Sequence, residues 1–134
     1  MILFINTASY DEIVIALLTL DGKKIKTKKF KAARQQAEKL LPAVSKLLEL
    51  QNKKLKDLTK IQVVVTGGSF TSLRIGVVTA NALAYALNIF IEAVSADGEI
   101  LKNQAAIKFA TYNIVSPQYD REPNIGVKKE KNKK

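Results

Sequence analysis

The sequence predicts an α/β fold with a five-stranded mixed sheet, its elements following the order β-β-β-α-β-α-β. Apolar runs rich in β-branched residues, separated by turn signals, occupy residues 1–30 and predict antiparallel strands. Two later segments carry apolar residues at spacings of three and four, which is typical of helices that pack on a core. A short β-branched run follows each helical segment, as expected when a helix connects parallel strands.

The first three strands are predicted at residues 1–7, 13–20 and 23–30. The run MILFINT is almost continuously apolar, which is typical of a central strand that is buried on both faces. Asp21-Gly22 is a strong hairpin signal between the second and third strands. Lys24, Lys26 and Lys28 recur at every second position, so they are predicted to share one solvated face of an edge strand.

Helices and strands alternate in the rest of the chain. We predict a helix over 33–48, a strand over 61–66, a second helix over about 71–87, a fifth strand over 89–94 and a short helix over 99–110. Together these elements form one predicted domain, residues 1–115. Residues 116–134 are expected to be an extended segment followed by a disordered basic tail, because the last seven residues include five lysines.

The composition excludes whole classes of chemistry. The chain has 22 Lys and Arg against 12 Asp and Glu, a formal charge of +10, and neither Cys nor His. These absences exclude Ser-His-Asp and Cys-His nucleophile systems, disulfides, and metal sites built from thiolates and imidazoles. We therefore expect a binding protein that is not an enzyme and needs no cofactor. No apolar run approaches the roughly twenty residues that span a bilayer and no leader-peptide pattern is present, which predicts a cytoplasmic protein without membrane contact.

A glycine-rich segment, GGSFTSLRIG, joins the fourth strand to the second helix. Gly67 and Gly68 can form a turn that exposes backbone donors to a phosphate at the helix N-terminus. Alternatively, the glycines only shape the turn, and Ser69 or Thr71 caps the helix. Spacing alone favours the second interpretation, and the P-loop pattern is not met because no Gly-Lys-Ser/Thr follows.

Small residues recur at every fourth position of the second helix: Ser72, Gly76, Ala80 and Ala84. This ridge permits close approach of another element, either within the chain or in a partner, and the sequence does not separate the two. The first helix has small residues of its own at Ala33, Ala37 and Val44. Two helices with small faces can build a compact intermolecular bundle.

The basic residues have two interpretations. A surplus of positive charge often only keeps a small domain soluble. Here it is concentrated in the third strand and the tail, so the candidate RNA contacts are Lys24, Lys26, Lys28, Lys128 and Lys129. No aromatic residues lie between these lysines, so base stacking is not supported.

The first strand lacks the carboxylate that a metal-dependent site would need. Ribonuclease H-type nucleases and sugar-kinase-type ATPases hold a divalent metal with a carboxylate on this strand, where the present sequence has Asn6. A neutral amide does not supply that charge. Four other acidic residues fall at predicted turns, where such residues are common, so no metal site is predicted: Asp11, Glu12, Asp57 and Asp97.

The order of elements is that of one lobe of the actin/hexokinase/heat-shock ATPase fold, which is ribonuclease H-like. The segments ILFINTAS, ARQQAEKLLPAV and VVVTGGSFTSLRIGVVTANALAYALNI together resemble the TsaB family, also called YeaZ or glycoprotease-like, of tRNA threonylcarbamoyladenosine biosynthesis proteins. The family patterns are IDTS, His-Ser-Glu before Leu-Leu-Pro, and the long and specific GPGSFTGLRIG. SPQYDREPNI, at residues 116–125, resembles the Pro-x-Tyr-x-Arg-x-Pro ending of that family.

This resemblance implies a non-catalytic subunit whose two helices bind a TsaD-type catalytic subunit, and the complex recruits the ATPase TsaE. A homodimer through the same helices would compete, and contact with tRNA would be indirect or weak. The residues expected at the partner interface, with Arg74 bonded to a partner carboxylate, are Ala33, Ala37, Leu40, Leu41, Val44, Ser72, Arg74, Gly76 and Ala80. The alternative is a basic RNA-binding accessory module with no TsaD partner.

The sequence departs from the family pattern at several positions. Asn6 replaces an aspartate, Gln36 a histidine, Gly67-Gly68 the glycine-proline pair before Ser69, and Ser72 a glycine. At 134 residues the chain is also shorter than the two-lobed pattern requires. Because a nucleotide cleft of the kinase kind lies between two lobes, we do not expect ATP binding of that kind.

Overall fold

The computed structural model describes residues 1–101, 107–109 and 112–114, with side chains described through residue 101. The helices are α1 (Gln36–Leu50) and α2 (Phe70–Leu87), and a 3₁₀ turn lies at Leu55–Asp57. The strands are β1 (Ile2–Asn6), β2 (Glu12–Leu18), β3 (Lys24–Lys31), β4 (Lys60–Val64), β5 (Phe90–Val94), β6 (Ile107–Phe109) and β7 (Tyr112–Ile114). Every element predicted over residues 1–94 is therefore present.

The main sheet has five strands in the order β3-β2-β1-β4-β5. Strand β2 pairs antiparallel with both β1 and β3, whereas β4 pairs parallel with both β1 and β5. Short turns join the antiparallel strands, and α1 and α2 provide the long connections that parallel neighbours require. The predicted five-stranded mixed sheet and its element order are confirmed.

Both helices pack on one face of this sheet. Most of their buried apolar residues form one cluster with alternate residues of the central strands, including the cross-strand pairs Leu3–Leu17 and Ile5–Ile15. Helix α1 lies over β2, and α2 lies over β1, β4 and β5. A smaller cluster occupies the opposite face: Ile2, Ala16 and Leu18 with Phe4 beside them.

Helix α2 lies unusually close to the residue that follows β1. Thr7 is fully buried, and its hydroxyl donates to the backbone carbonyl of Ser72 at 2.5 Å. A Cβ atom on Gly76 would lie 2.5 Å from the same Thr7 oxygen, so only glycine allows the helix to pack at this distance. The small-residue ridge therefore faces the chain's own sheet, and all four of its members are buried: Ser72, Gly76, Ala80 and Ala84.

The lysines of β3 do not share one face, and this prediction is wrong. Leu17 lies opposite Lys26, but the register then shifts so that Leu18 lies opposite Lys24. Leu17 belongs to the cluster under the helices and Leu18 to the cluster on the other face, so Lys24 and Lys26 lie on opposite faces. Spacing along the sequence does not reveal this bulge.

The chain after β5 turns back instead of forming the helix predicted over 99–110. The Gly98 backbone N–H donates to the Ser95 carbonyl, and Ile100 forms an antiparallel bridge with Val94. Further on, β6 pairs antiparallel with β7. That predicted helix is therefore wrong where the chain is described.

The predicted boundary at 115/116, the extended segment and the basic tail with Lys128 and Lys129 lie outside the described residues.

By length and composition alone, α2 could cross a membrane. The search for long apolar runs in the sequence did not predict such a helix. Within the described residues it is the only helix of this kind. Its buried residues, however, pack into the apolar clusters of the sheet. This is the arrangement of a core helix.

The contact between α2 and Thr7 predicts the sign of a stability change. Alanine is normally better than glycine inside a helix by roughly 1 kcal/mol, so Gly76→Ala would be stabilising if space were available. We expect it instead to lower the free energy of unfolding by about 1–3 kcal/mol, because the added methyl group displaces the buried Thr7 hydroxyl. Urea denaturation followed by circular dichroism measures this change, and an increase in stability would contradict the packing described.

Candidate functional site

A depression of about 290 Å³ lies where the loop after β1 meets the loop after β4. Its lining residues come from the β1 end, the β2 start and the glycine loop: Asn6, Ala8, Ser9, Glu12, Val14 and Gly67. In an open sheet, the carboxyl ends of neighbouring parallel strands are the usual location of a ligand site. This depression is therefore the first candidate site.

The polar side chain at the end of β1, Asn6, forms a hydrogen bond within its own loop. The Asn6 side-chain oxygen accepts a hydrogen bond at 2.9 Å from the backbone N–H of Ala8, which fixes the start of the loop. The amide is neutral, and within the described residues no group of three or more acidic side chains comes together. The residues present at this position thus do not fit a divalent metal.

Gln36 holds the same loop from the side of α1. It is buried, and its side-chain nitrogen donates to the carbonyls of Ser9 at 2.6 Å and Glu12 at 3.2 Å. These two bonds tie the first turn of the helix to the middle of the β1–β2 loop and to the start of β2. Gln36 occupies the position of the family histidine, and here its role is to anchor backbone.

The β1–β2 loop also carries Asp11, a carboxyl group whose pKa is lowered. The Ser9 hydroxyl donates to Asp11 at 2.8 Å, and the Lys31 ammonium lies 3.7 Å from the other carboxylate oxygen. The Ser9 hydrogen bond, followed by the charge of Lys31, holds the pKa of Asp11 below its usual value of 3.8. Asp11 therefore stays ionised at neutral pH and serves as a fixed loop contact.

The glycine loop is shaped by backbone geometry. Gly67 has φ +82°, in the left-handed region, and a Cβ on Gly68 would lie 2.5 Å from the Ala8 carbonyl oxygen. Ser69 is the N-cap, accepting from the Ser72 backbone N–H at 3.1 Å, while Thr71 is exposed in the first turn. Turn formation and capping, the interpretation favoured by spacing, account for Gly67, Gly68 and Ser69.

The residues expected at a partner interface divide into two groups. Five are buried by the chain itself and cannot form a contact surface in this structure: Leu40, Val44, Ser72, Gly76 and Ala80. Their inclusion is corrected, because these side chains form the seam between helix and sheet. The other four are exposed: Ala33, Ala37, Leu41 and Arg74. Ala33 lies in the turn before α1, since Arg34 has a left-handed φ of 61° and the helix begins only at Gln36.

An exposed apolar strip on α2 was missed from the sequence. Val78 and Tyr85 are 58% and 59% exposed, and Ala82 between them is also exposed. With Arg74, whose guanidinium lies over the Phe70 ring, these residues form the outward face of α2. Their spacing of four, four and three is typical of residues on one face of a helix. Because α2 is apolar on nearly all sides, the sequence does not distinguish its outward face from its buried face.

The three candidate lysines in the described part of the chain lie on edge strand β3. Lys26 and Lys28 are on the helix-covered face, where the Lys28 ammonium lies 5.9 Å from the centre of the Phe30 ring. Lys24 lies on the opposite face, beside Leu18. The structure therefore does not bring these three lysines together on one face.

Comparisons with known proteins agree with this architecture. Residues 27–107 match the protein-family model described as "TsaD: tRNA N6-adenosine threonylcarbamoyltransferase". Over 80 residues, the chain is 40% identical to the tRNA threonylcarbamoyladenosine biosynthesis protein TsaB of Bacillus subtilis (strain 168), an alignment that covers 60% of this chain and 33% of that protein.

Two solved structures are also similar. YeaZ from Pseudomonas aeruginosa matches with a TM-score of 0.64 and 30% identity, over 70% of this chain and 43% of that one. A protein described as similar to peptidase YeaZ from Pseudomonas aeruginosa has a TM-score of 0.60 and 29% identity, over 70% and 42%. The chain thus spans less than half the length of each of these relatives.

The fold is therefore one lobe of the actin/hexokinase/heat-shock ATPase type. Helices cover one face of its sheet, and the loops after β1 and β4 line the candidate site. Within that class, the chain belongs to the TsaB/YeaZ family, which falls under the wider family model named for TsaD. The resemblance stated from the sequence motifs is confirmed.

The anchoring role of Gln36 is tested against its neighbour Gln35. We expect Gln36→Ala to lower the free energy of unfolding by about 1–3 kcal/mol, because two carbonyls lose their side-chain donor in a partly buried loop. Gln35→Ala changes the same residue type at an exposed position and should have little effect. Equal effects of the two substitutions, measured by thermal or urea denaturation, would refute the anchor.

Proposed function

We propose that this chain is a non-catalytic, cytoplasmic scaffold subunit that binds and stabilises a TsaD-type threonylcarbamoyltransferase. In this role it supports threonylcarbamoyladenosine formation in tRNA. The family membership supports the pathway, and the outward face of α2 is the observation that supports a binding role. The two helices contact each other on one side of the sheet, so their outward surfaces form one side of the molecule.

The outward face of α2 has the character of a helix-packing surface. Val78, Ala82 and Tyr85 present apolar or aromatic groups to solvent at helical spacing. On α1, Ala37 and Leu41 form a second exposed pair at spacing four, and Leu41 is 48% exposed. Burying such side chains against partner helices gains free energy without disturbing the core beneath them.

A catalytic role is not favoured by the candidate site. Asn6 is neutral and bonded to the loop backbone, and Gln36 is buried and bonded to two carbonyls. These observations support a protein that acts by association, and they give no role to a nucleotide bound in this lobe alone.

The same outward face would also serve a homodimer, which then competes with the TsaD-type partner. Recruitment of the ATPase TsaE would follow formation of the heterodimer. A second candidate function is a basic RNA-binding accessory module without a TsaD partner, which the exposed lysines support. The two functions differ in whether the apolar face of α2 is needed.

The partner interface is tested by placing a charge on α2. We expect Val78→Glu to reduce co-purification with the same organism's TsaD by tenfold or more, because a carboxylate would be buried in an apolar contact. Leu20→Glu is the matched control, since Leu20 is a similarly exposed apolar residue in the β2–β3 turn. Size-exclusion chromatography of the co-expressed proteins measures the complex.

Unchanged binding of the Val78→Glu variant would refute this interface. A charge at Val78 should leave the fold intact because the side chain is exposed, and circular dichroism of the purified variant checks this. If the wild-type chain does not associate with TsaD at all, the scaffold function is wrong.

A further inference from the structure

Two segments that are distant in sequence lie at the same end of the sheet. Ile2 pairs with both Leu18 and Lys60, so the start of β1, the end of β2 and the start of β4 lie at the same end. Helix α1 begins beside the Ser9 loop at the opposite end and runs over β2 for 15 residues. Its C-terminus and the following 3₁₀ turn therefore come to the end that holds the β2–β3 turn.

These segments carry a group of exposed lysines, which we call the basic end: Lys23, Lys24, Lys53, Lys54 and Lys56. The two carboxylates in these segments accept hydrogen bonds within the turns. Asp21 accepts from the Thr19 hydroxyl, and Asp57 accepts from the Lys54 backbone N–H at 2.8 Å. Within residues 1–101, none of the five lysines forms an ion pair with a carboxylate.

Four other lysines within residues 1–101 form ion pairs. Lys29 and Lys31 lie within 4 Å of Glu12 or Asp11, Lys46 is paired with Glu49, and Lys60 lies 3.2 Å from Glu92. Five of the eight lysines that form no ion pair within residues 1–101 thus lie at the basic end, and the other three are Lys26, Lys28 and Lys39. Such charge attracts phosphates through release of condensed counterions.

We propose that the basic end is a contact surface for the phosphate backbone of RNA. The proposal rests on the proposed function, which brings a tRNA to the complex and thereby favours RNA over an anionic membrane. The segments 19–26 and 51–60 contain no aromatic residue, so the contact is with phosphates and carries no base readout. The surface comprises turns and the helix C-terminus, and it is distinct from the outward face of α2.

The test compares two variants of the full chain that remove the same charge. The first, Lys24→Gln/Lys53→Gln/Lys56→Gln, neutralises the basic end, and the second, Lys29→Gln/Lys31→Gln/Lys46→Gln, neutralises ion-paired lysines elsewhere. Binding of an unmodified, fluorescently labelled tRNA transcript is measured by anisotropy between 50 and 300 mM KCl. We expect the first variant to bind about tenfold or more weakly and to lose roughly 2–3 units of the log–log salt slope. The second should change the affinity less than threefold.

Equal loss in the two variants would overturn the proposal, because net charge alone would then explain binding. So would absence of tRNA binding by the wild-type chain, or binding to phosphatidylglycerol vesicles in its place. Co-purification with TsaD is measured in parallel for the same proteins. If TsaD binds normally while the two variants bind tRNA equally well, only this proposal fails. If TsaD does not bind but the first variant binds tRNA more weakly than the second, only the scaffold function fails.

Discussion

Helix α2 can lie against the end of β1 because Gly76 leaves room for the Thr7 side chain, whose hydroxyl then satisfies the Ser72 carbonyl. This close contact sets the position of the following loops. Ala8 directly follows Thr7, and the Gly68 backbone crosses it at a distance that no side chain would permit. The candidate site, the start of α2 and the direction of its outward face all depend on this one approach.

The polar side chains near this contact hold the loop between β1 and β2 in place. Asn6 bonds to the backbone of its own loop, and Gln36 reaches across from α1 to hold the same loop at two carbonyls. Both positions carry ionisable residues in the family pattern. With neutral amides in their place, Asn6 and Gln36 hold the shape of the loop through hydrogen bonds.

The fold separates two surfaces. The apolar outward face of α2 lies on the helix-covered side, whereas the basic end collects lysines from the β2–β3 turn and from the segment after α1. An apolar face suits a partner that buries side chains, and a group of unpaired ammonium groups suits phosphates. Because the surfaces lie apart, a protein partner and a nucleic acid need not compete for the same residues.

The sequence by itself determined the element order, the mixed sheet and the family, because β-branched runs, helical periodicity and the GGSFTSLRIG motif are local properties of the chain. It did not determine which side of α2 faces the sheet: Ser72, Gly76 and Ala80 form a ridge that suits an internal or an external partner equally, and only the position of Thr7 decides between them. Nor did it place Lys24 away from Lys26, since a bulge depends on the pairing with β2. Register and packing are relations between distant segments, so only the tertiary structure fixes which residues remain at the surface.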